Sequence, residues 1–399
     1  MQLTAPTPDR IDALAGLFAV TFSDYWDRRR YVHDGYIADS PYDWAASRIG
    51  VEDDRIVTHF GVWDFGMRIG SAECRMAGIG AVETHDEYRK RGLMAQTAAD
   101  CVSGLKEAGY DLSLLFGIPG FYHRFGYVRS FGEGTFSLTT RDLAEPEHAP
   151  EYTPYTGDVA SLAAMYNAEN SGVTGTYVRP TYRRNRKPKT FRIYAFDGGY
   201  VVAGRARDTI ELCDCAGDPA TIVAILRDLA VRELCTEISL VFLPRRSRLG
   251  EYVQTLSHRF TLSRNQSGGP MFRLVNLPAL TNKLIPVFNE RLAAAGDGVD
   301  GYSGTVVLRG HDEAVSLVIA GGTVSRMEPI EHSRAADGAT TRRSGVIDAG
   351  HALVRFFVGD DHPDRICAQT GATISGDAQW IAPILFPDQE PSTILWDRF

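Results

Sequence analysis

The segment from Ala77 to Ser130, AGIGAVETHDEYRKRGLMAQTAADCVSGLKEAGYDLSLLFGIPGFYHRFGYVRS, constrains the fold of this chain more than any other. It reads as a strand, a basic turn, a helix, a second strand and an aromatic-rich loop. Met94, Ala98, Cys101, Val102 and Leu105 recur at helical spacing, and Gly109 stands where a glycine stop belongs. The turn that opens the helix is Arg89-Lys90-Arg91-Gly92. A helix start presents unpaired N–H groups and the positive end of the macrodipole, so clustered cations there are unfavourable without an anion. Gly92 lets a ligand approach the backbone closely. The turn therefore reads as a seat for a pyrophosphate-sized anion, with a merely solvated basic turn as the alternative.

These residues carry a family resemblance. Val82-Glu83-Thr84 followed by Arg89-Lys90-Arg91-Gly92-Leu93-Met94-Ala95 resembles the acetyl-CoA motif of GNAT N-acetyltransferases, Arg/Gln-x-x-Gly-x-Gly/Ala, with Met94 in place of the last small residue. Phe121-Tyr122-His123-Arg124-Phe125-Gly126-Tyr127 resembles the Y-x-R-F-G-Y segment of the Eis (enhanced intracellular survival) branch. Asp86 stands where that branch usually has proline.

The resemblance implies an α+β chain: tandem GNAT folds followed by a sterol-carrier-like domain. The boundaries it suggests are 1–149 for the catalytic domain, 150–280 for a degenerate second GNAT-like domain and 281–399 for the last. The residue patterns agree in outline. In the first part, Thr7 and Pro8 open a helix carrying Ile11, Leu14, Leu17, Phe18 and Phe22, and strands follow near 51–61 and 65–74. In the second part, Asp218-Pro219 starts a helix with Ile222, Ile225, Leu226 and Leu229 on one face, and Glu237 to Leu243 reads as a buried strand. No basic-glycine turn opens that helix, so this part is not expected to bind CoA. Its run Arg183 to Lys189 is either a solvated loop or a contact for a phosphate or acidic partner. The third part shows a helix, strands at 305–308 and 315–320, and a helix around 351–358. A sterol-carrier-like module either binds lipid or is filled by its own core.

A length of 399 residues, 44 % hydrophobic, supplies cores for several domains. The net charge of -8 disfavours nucleic acid or an anionic membrane as partner. No apolar run is long enough for a membrane span, and no basic-then-apolar leader opens the sequence, so the expectation is a cytoplasmic enzyme. Six scattered cysteines, with Cys213-x-Cys215 lacking a second ligand pair, read as free thiols, and no metal is implied.

The resemblance also implies the chemistry, direct attack of a primary amine on the acetyl thioester. Acetyl-CoA would lie along Val82, Glu83, Thr84, Lys90, Arg91, Gly92, Leu93, Met94 and Ala95, with Gly117 and Ile118 on the second strand. Gly78 and Gly80 suit a bulge that opens the strand edge, whose N–H groups would polarise the carbonyl. Tyr122 matches the proton donor of the family, although on residue chemistry alone it is one aromatic among several. His123 is assigned nothing. Phe399 matches the terminal residue whose α-carboxylate acts as base; the alternative is that Trp396 and Phe399 only anchor the third domain. For the acceptor, an aminoglycoside or polyamine amine, Asp24 and Trp26 in the cluster Phe22 to Asp27 offer charge and a stacking ring, or else cap the core. A homo-oligomer, as large as a hexamer, is a further implication. The competing reading is a non-catalytic CoA- or lipid-binding scaffold.

Overall fold

The computed structural model describes residues 1–22, 32–146, 148–179, 191–331, 343–394 and 397. They form two compact units, Met1–Phe131 with Gln266–Gln389, and Gly132–Asn265 with Glu390–Arg398.

The first unit opens with β1 (Gln2–Thr4), a 3-10 turn at Pro8–Arg10 and helix α1 (Ile11–Thr21). The Thr7 side chain does not cap it; the Thr7 carbonyl accepts from Arg10 N at 2.9 Å, which closes a tight turn and delays the helix to Ile11. Strands β2 (Arg48–Glu52), β3 (Arg55–Ile69) and β4 (Ala72–Thr84) follow as an antiparallel meander. The break expected between residues 61 and 65 does not occur. β3 stays extended to Ile69, and the chain reverses at Gly70, whose φ of +56° favours glycine.

Helix α2 (Leu93–Gly104) then crosses to β5 (Leu112–Gly117), parallel to β4. Its buried face, Ala98, Cys101 and Val102, packs with Leu105, Leu115, Tyr122 and Tyr127. β6 (Val128–Arg129) ends this stretch.

In the second unit the strands are β7 (Glu133–Thr139), β8 (Thr153–Pro154), β9 (Tyr177–Val178), β10 (Phe191–Phe196), β11 (Gly199–Ala206), β12 (Thr209–Ala216), β13 (Glu237–Val241) and β14 (Arg259–Ser263). One sheet runs β14-β7-β13-β12-β11-β10-β8. Helices α3 (Val159–Glu169), α4 (Pro219–Arg232) and α5 (Arg248–Val253) complete the unit. All four residues expected on one face of α4, Ile222, Ile225, Leu226 and Leu229, are buried. The β12–α4–β13 stretch repeats the parallel strand–helix–strand plan of β4–α2–β5.

The chain returns to the first unit as β15 (Gly269–Leu274), which lies antiparallel to both β5 and β6 and completes the order β1-β2-β3-β4-β5-β15-β6. Helix α6 (Leu277–Ala294) leads into a sheet ordered β18-β17-β16-β19-β20. Its strands are β16 (Gly304–Gly310), β17 (Ala314–Ala320), β18 (Thr323–Ile330), β19 (Arg343–Gly350) and β20 (Thr373–Gly376). Helices α7 (Leu353–Val358), α8 (Pro363–Thr370) and α9 (Ala378–Leu385) accompany it.

The compact units divide the chain at Phe131/Gly132, Asn265/Gln266 and Gln389/Glu390. The physical reason is strand exchange. β7 already belongs to the second sheet, and β15 completes the first from a stretch far along the chain.

Candidate active site

β4 and β5 pair from Met76↔Leu112 to Ile79↔Leu115, and no further. Past that point β4 runs on to Thr84 and β5 to Gly117, so the facing edges part and expose unpaired backbone groups. A bulge sharpens the divergence. On β3, Phe60 stands between the partners of Glu83 and Gly80, so it faces both Ala81 and Val82. The bulge was expected from Gly78 and Gly80, but the left-handed residue is Ala81, with φ +45°. Gly80 serves a different need: a Cβ there would lie 2.5 Å from the Tyr36 hydroxyl and 3.1 Å from Trp63.

The basic turn lies past the end of β4. Lys90 and Gly92 both have positive φ, +62° and +75°. Gly92 is the N-cap of α2 and has no side chain to accept from the first-turn N–H groups of Leu93, Met94 and Ala95. A Cβ on Gly92 would meet nothing within 4 Å, so the space above the helix start is open. Arg89 is held by Asp86 at 2.7 Å, and Arg91 by Glu52 at 3.1 Å, with Tyr88 under its guanidinium. Asp86 thus anchors the turn through an ion pair. The residues fit a pyrophosphate in chemistry and in room.

Across the opening, β5 ends at Gly117, where a Cβ would stand 3.0 Å from the Tyr122 ring. Ile118 is 54 % exposed. Tyr122 starts a 3-10 turn ending at Phe125, and Gly126 closes it with φ +78°. The Tyr122 ring is buried against Phe121 and Tyr127, and burial pushes its phenol up to about 12. Its hydroxyl has no hydrogen bond among the described residues and is not among the sealed, unpaired polar atoms. Tyr127 fixes the loop: its hydroxyl is 2.7 Å from Ser113 Oγ, which donates to the Ala77 carbonyl at 2.8 Å. His123 is exposed.

The sequence reading missed a buried group beside this edge. Glu83 turns its side chain inward, 3.3 Å from His59 Nδ1, and the Tyr42 hydroxyl lies 2.8 Å from His59 Nε2. Burial lowers His59 to about 3 and raises Glu83 above its ordinary value, so it disfavours the charged form of each. No local sequence signal marks the pair, because what brings His59 opposite Glu83 is the register of β3 on β4. Asp24 and Trp26, like the Arg183–Lys189 run, Trp396 and Phe399, lie outside the described residues.

The second unit has the same parting of strands and lacks the anion seat. β12 and β13 pair only to Leu212↔Leu240, and Cys213 is the bulged residue against β11. Here Asp218 caps the helix, accepting from Thr221 N at 2.8 Å and Thr221 Oγ1 at 2.7 Å. Those bonds hold its carboxyl below the usual range, so the helix start already has its anion. Ile394 packs with Cys213 and Ala216, and the cavity left there is about 20 Å³, room for about one water. Among the described residues no group of three or more His, Cys, Asp or Glu could hold a metal ion.

Residues 6–129 match the family model described as an acetyltransferase (GNAT) domain. The protein is an acyltransferase, and acetyl-CoA is its co-substrate. Over its whole length the chain is similar in fold to solved N-acetyltransferase structures. One is a GCN5-related N-acetyltransferase from Anabaena variabilis, 16 % identical, covering 98 % of this chain and 99 % of that one, with a TM-score of 0.71. Another, from Kribbella flavida, is 17 % identical, covers 100 % and 98 %, and scores 0.69. Eis1 from Mycobacterium abscessus is 15 % identical, covers 100 % of both chains and scores 0.65. At these identities the likeness concerns the fold. No curated protein matches the sequence.

Proposed function

We propose that this protein is an Eis-like N-acetyltransferase that moves the acetyl group of acetyl-CoA to a primary amine of aminoglycoside or polyamine type by direct attack. The observation that carries the reading is the parted β4/β5 edge, which leads into an uncapped helix start at one end and to the Tyr122 hydroxyl at the other.

Acetyl-CoA supplies an activated thioester. The N–H groups of Leu93 to Ala95, with Lys90 and Arg91, hold its pyrophosphate, and the edge from Val82 to Thr84 pairs with its amide arm opposite Gly117 and Ile118. N–H groups near the Ala81 bulge polarise the thioester carbonyl. Tyr122, kept protonated by burial, gives its proton as charge gathers on the leaving sulfur. The α-carboxylate of Phe399 takes the proton of the attacking amine, and Asp24 and Trp26 attract and stack the cationic acceptor. On this reading the chain is a cytoplasmic homo-oligomer, its second domain is a degenerate GNAT fold without CoA, and its last domain is sterol-carrier-like.

The test is thiol release from acetyl-CoA against a panel of polyamines and aminoglycosides. Amine-dependent release with an acetylated product supports the reading; release with none of these amines overturns the acceptor assignment.

A further inference from the structure

Away from the cleft of the second unit, a groove of about 510 Å³ lies between β10, β11 and the C-terminal end of α4. Three arginines line it, Arg192, Arg205 and Arg207, against one acid, Glu233. The chain as a whole carries a net charge of -8, so a local excess of cations is against its general trend.

The sheet register explains the convergence. Arg192 faces Ala203 across β10 and β11, and Arg205 sits two residues beyond Ala203 on the same face, opposite Ile210. Arg207 comes from the two-residue turn between β11 and β12, where its φ of +58° is one that favours glycine. That turn is fixed: Arg205 Nε donates to the Arg207 carbonyl at 2.7 Å, and Thr236 N donates to the Asp208 carbonyl. Arg205 Nη1 is 3.7 Å from Glu233. Arg192 and Arg207 have no carboxylate within ion-pair distance among the described residues. The floor is apolar, with Ala203, Ile210 and Leu229 under the groove and the Tyr194 ring at its side.

We infer that this groove binds a phosphate-bearing small molecule, its phosphates on Arg192, Arg205 and Arg207 and any ring on the apolar floor beside Tyr194. Guanidinium groups pair bidentately with phosphate oxygens, and two of these have that capacity unspent. The volume falls in the range of small-molecule sites. The site is separate from the acetyl-CoA seat and does not depend on the proposed acetyl transfer.

The experiment is calorimetric titration of the full chain with tripolyphosphate and with ATP, each with acetyl-CoA at saturation so that the first anion seat is filled. Expected is binding that weakens as salt rises, falls tenfold or more in an Arg192→Gln/Arg207→Gln variant, and tightens in Glu233→Gln. Tighter binding of ATP than of tripolyphosphate assigns the floor to the ring; equal binding supports phosphate recognition alone. The arginines are exposed, so the variant should fold as wild type and keep its affinity for acetyl-CoA. No binding of either probe, or equal binding by the double variant, overturns the inference.

Discussion

His59 and Glu83 face each other across β3 and β4 with Nδ1 3.3 Å from Oε1, both side chains 1 % exposed. Despite the short distance, burial disfavours the charged form of each, and Glu83 Oε2 is sealed without a hydrogen-bond partner among the described residues. At this depth desolvation outweighs attraction, since each ion would lose its hydration for one partner.

Stability should therefore fall on both sides of an intermediate pH. His59 titrates near 3 in the fold against an ordinary value near 6.5, so below 6.5 the unfolded chain binds a proton that the fold does not. Its contribution is lost as pH falls, by up to about 1.4 kcal/mol per unit. Glu83 acts in the opposite sense. Its folded value is raised, so stability is lost as pH rises above the ordinary carboxylate range. Glu83→Gln should gain more in Tm over wild type at pH 8 than at pH 5, and His59→Gln should flatten the acid limb. Thermal melts across that range check both. A Glu83→Gln variant that loses more stability at pH 8 than at pH 5 would mean a charged pair.

Gly92→Glu is the direct probe of the anion seat. A side chain there meets open space, so the change adds charge at the helix start together with the strain of a positive φ. Acetyl-CoA affinity, read by calorimetry, should fall tenfold or more. Gly92→Ala carries the strain without the charge and should keep most of the affinity. Equal affinity in Gly92→Glu and wild type would move the pyrophosphate elsewhere.

Local chemistry made the elements around the first candidate site legible in the sequence. The basic turn, the Met94–Val102 face and the aromatic loop are each written in a few neighbouring residues, and α2, β5 and the Tyr122 turn form there. Features that depend on distant pairing were not legible. The placement of β15 beside β5 joins residues about 150 positions apart, and no periodicity in Gly269–Leu274 announces its partner. The bulge at Ala81 is a register property, set by which residue of β3 is left facing two, so the nearby glycines pointed one position short. His59 and Glu83 look like exposed strand polars until the pairing puts both on the α1 side with Tyr42 and Trp63.

Tyr122→Phe should lower kcat by about a hundredfold or more, the usual worth of general acid catalysis. Acetyl-CoA affinity and Tm should hold, because the ring keeps its contacts with Phe121 and Tyr127 and the hydroxyl has no hydrogen bond to lose among the described residues. Steady-state kinetics with a good amine acceptor decide it. Wild-type turnover would leave Tyr122 a packing residue only.

The last prediction separates the α-carboxylate of Phe399 from the segment that precedes it. Asp397 is held within the second unit: Arg179 Nε and Nη2 donate to its carboxylate at 2.8 and 3.0 Å, and Tyr166 donates at 2.9 Å. Arg179 also donates to Asp214 at 2.7 Å, and the guanidinium is buried over the Tyr166 ring. Removing that cation strands the buried Asp214 and the half-buried Asp397 carboxylates, so Arg179→Met should cost about 3–5 kcal/mol and its lost activity would report unfolding. A Gly-Ser extension after Phe399 is the cleaner change. It displaces the α-carboxylate by several residues, deletes no side chain and leaves the Arg179–Asp397 pair in place, so stability should stay within about 0.5 kcal/mol of wild type. Turnover should nonetheless fall, with acetyl-CoA affinity unchanged, because the group proposed to take the amine proton has moved. An extended chain that melts like wild type and turns over at the full rate would reject the terminal carboxylate as base and assign the proton to another acceptor.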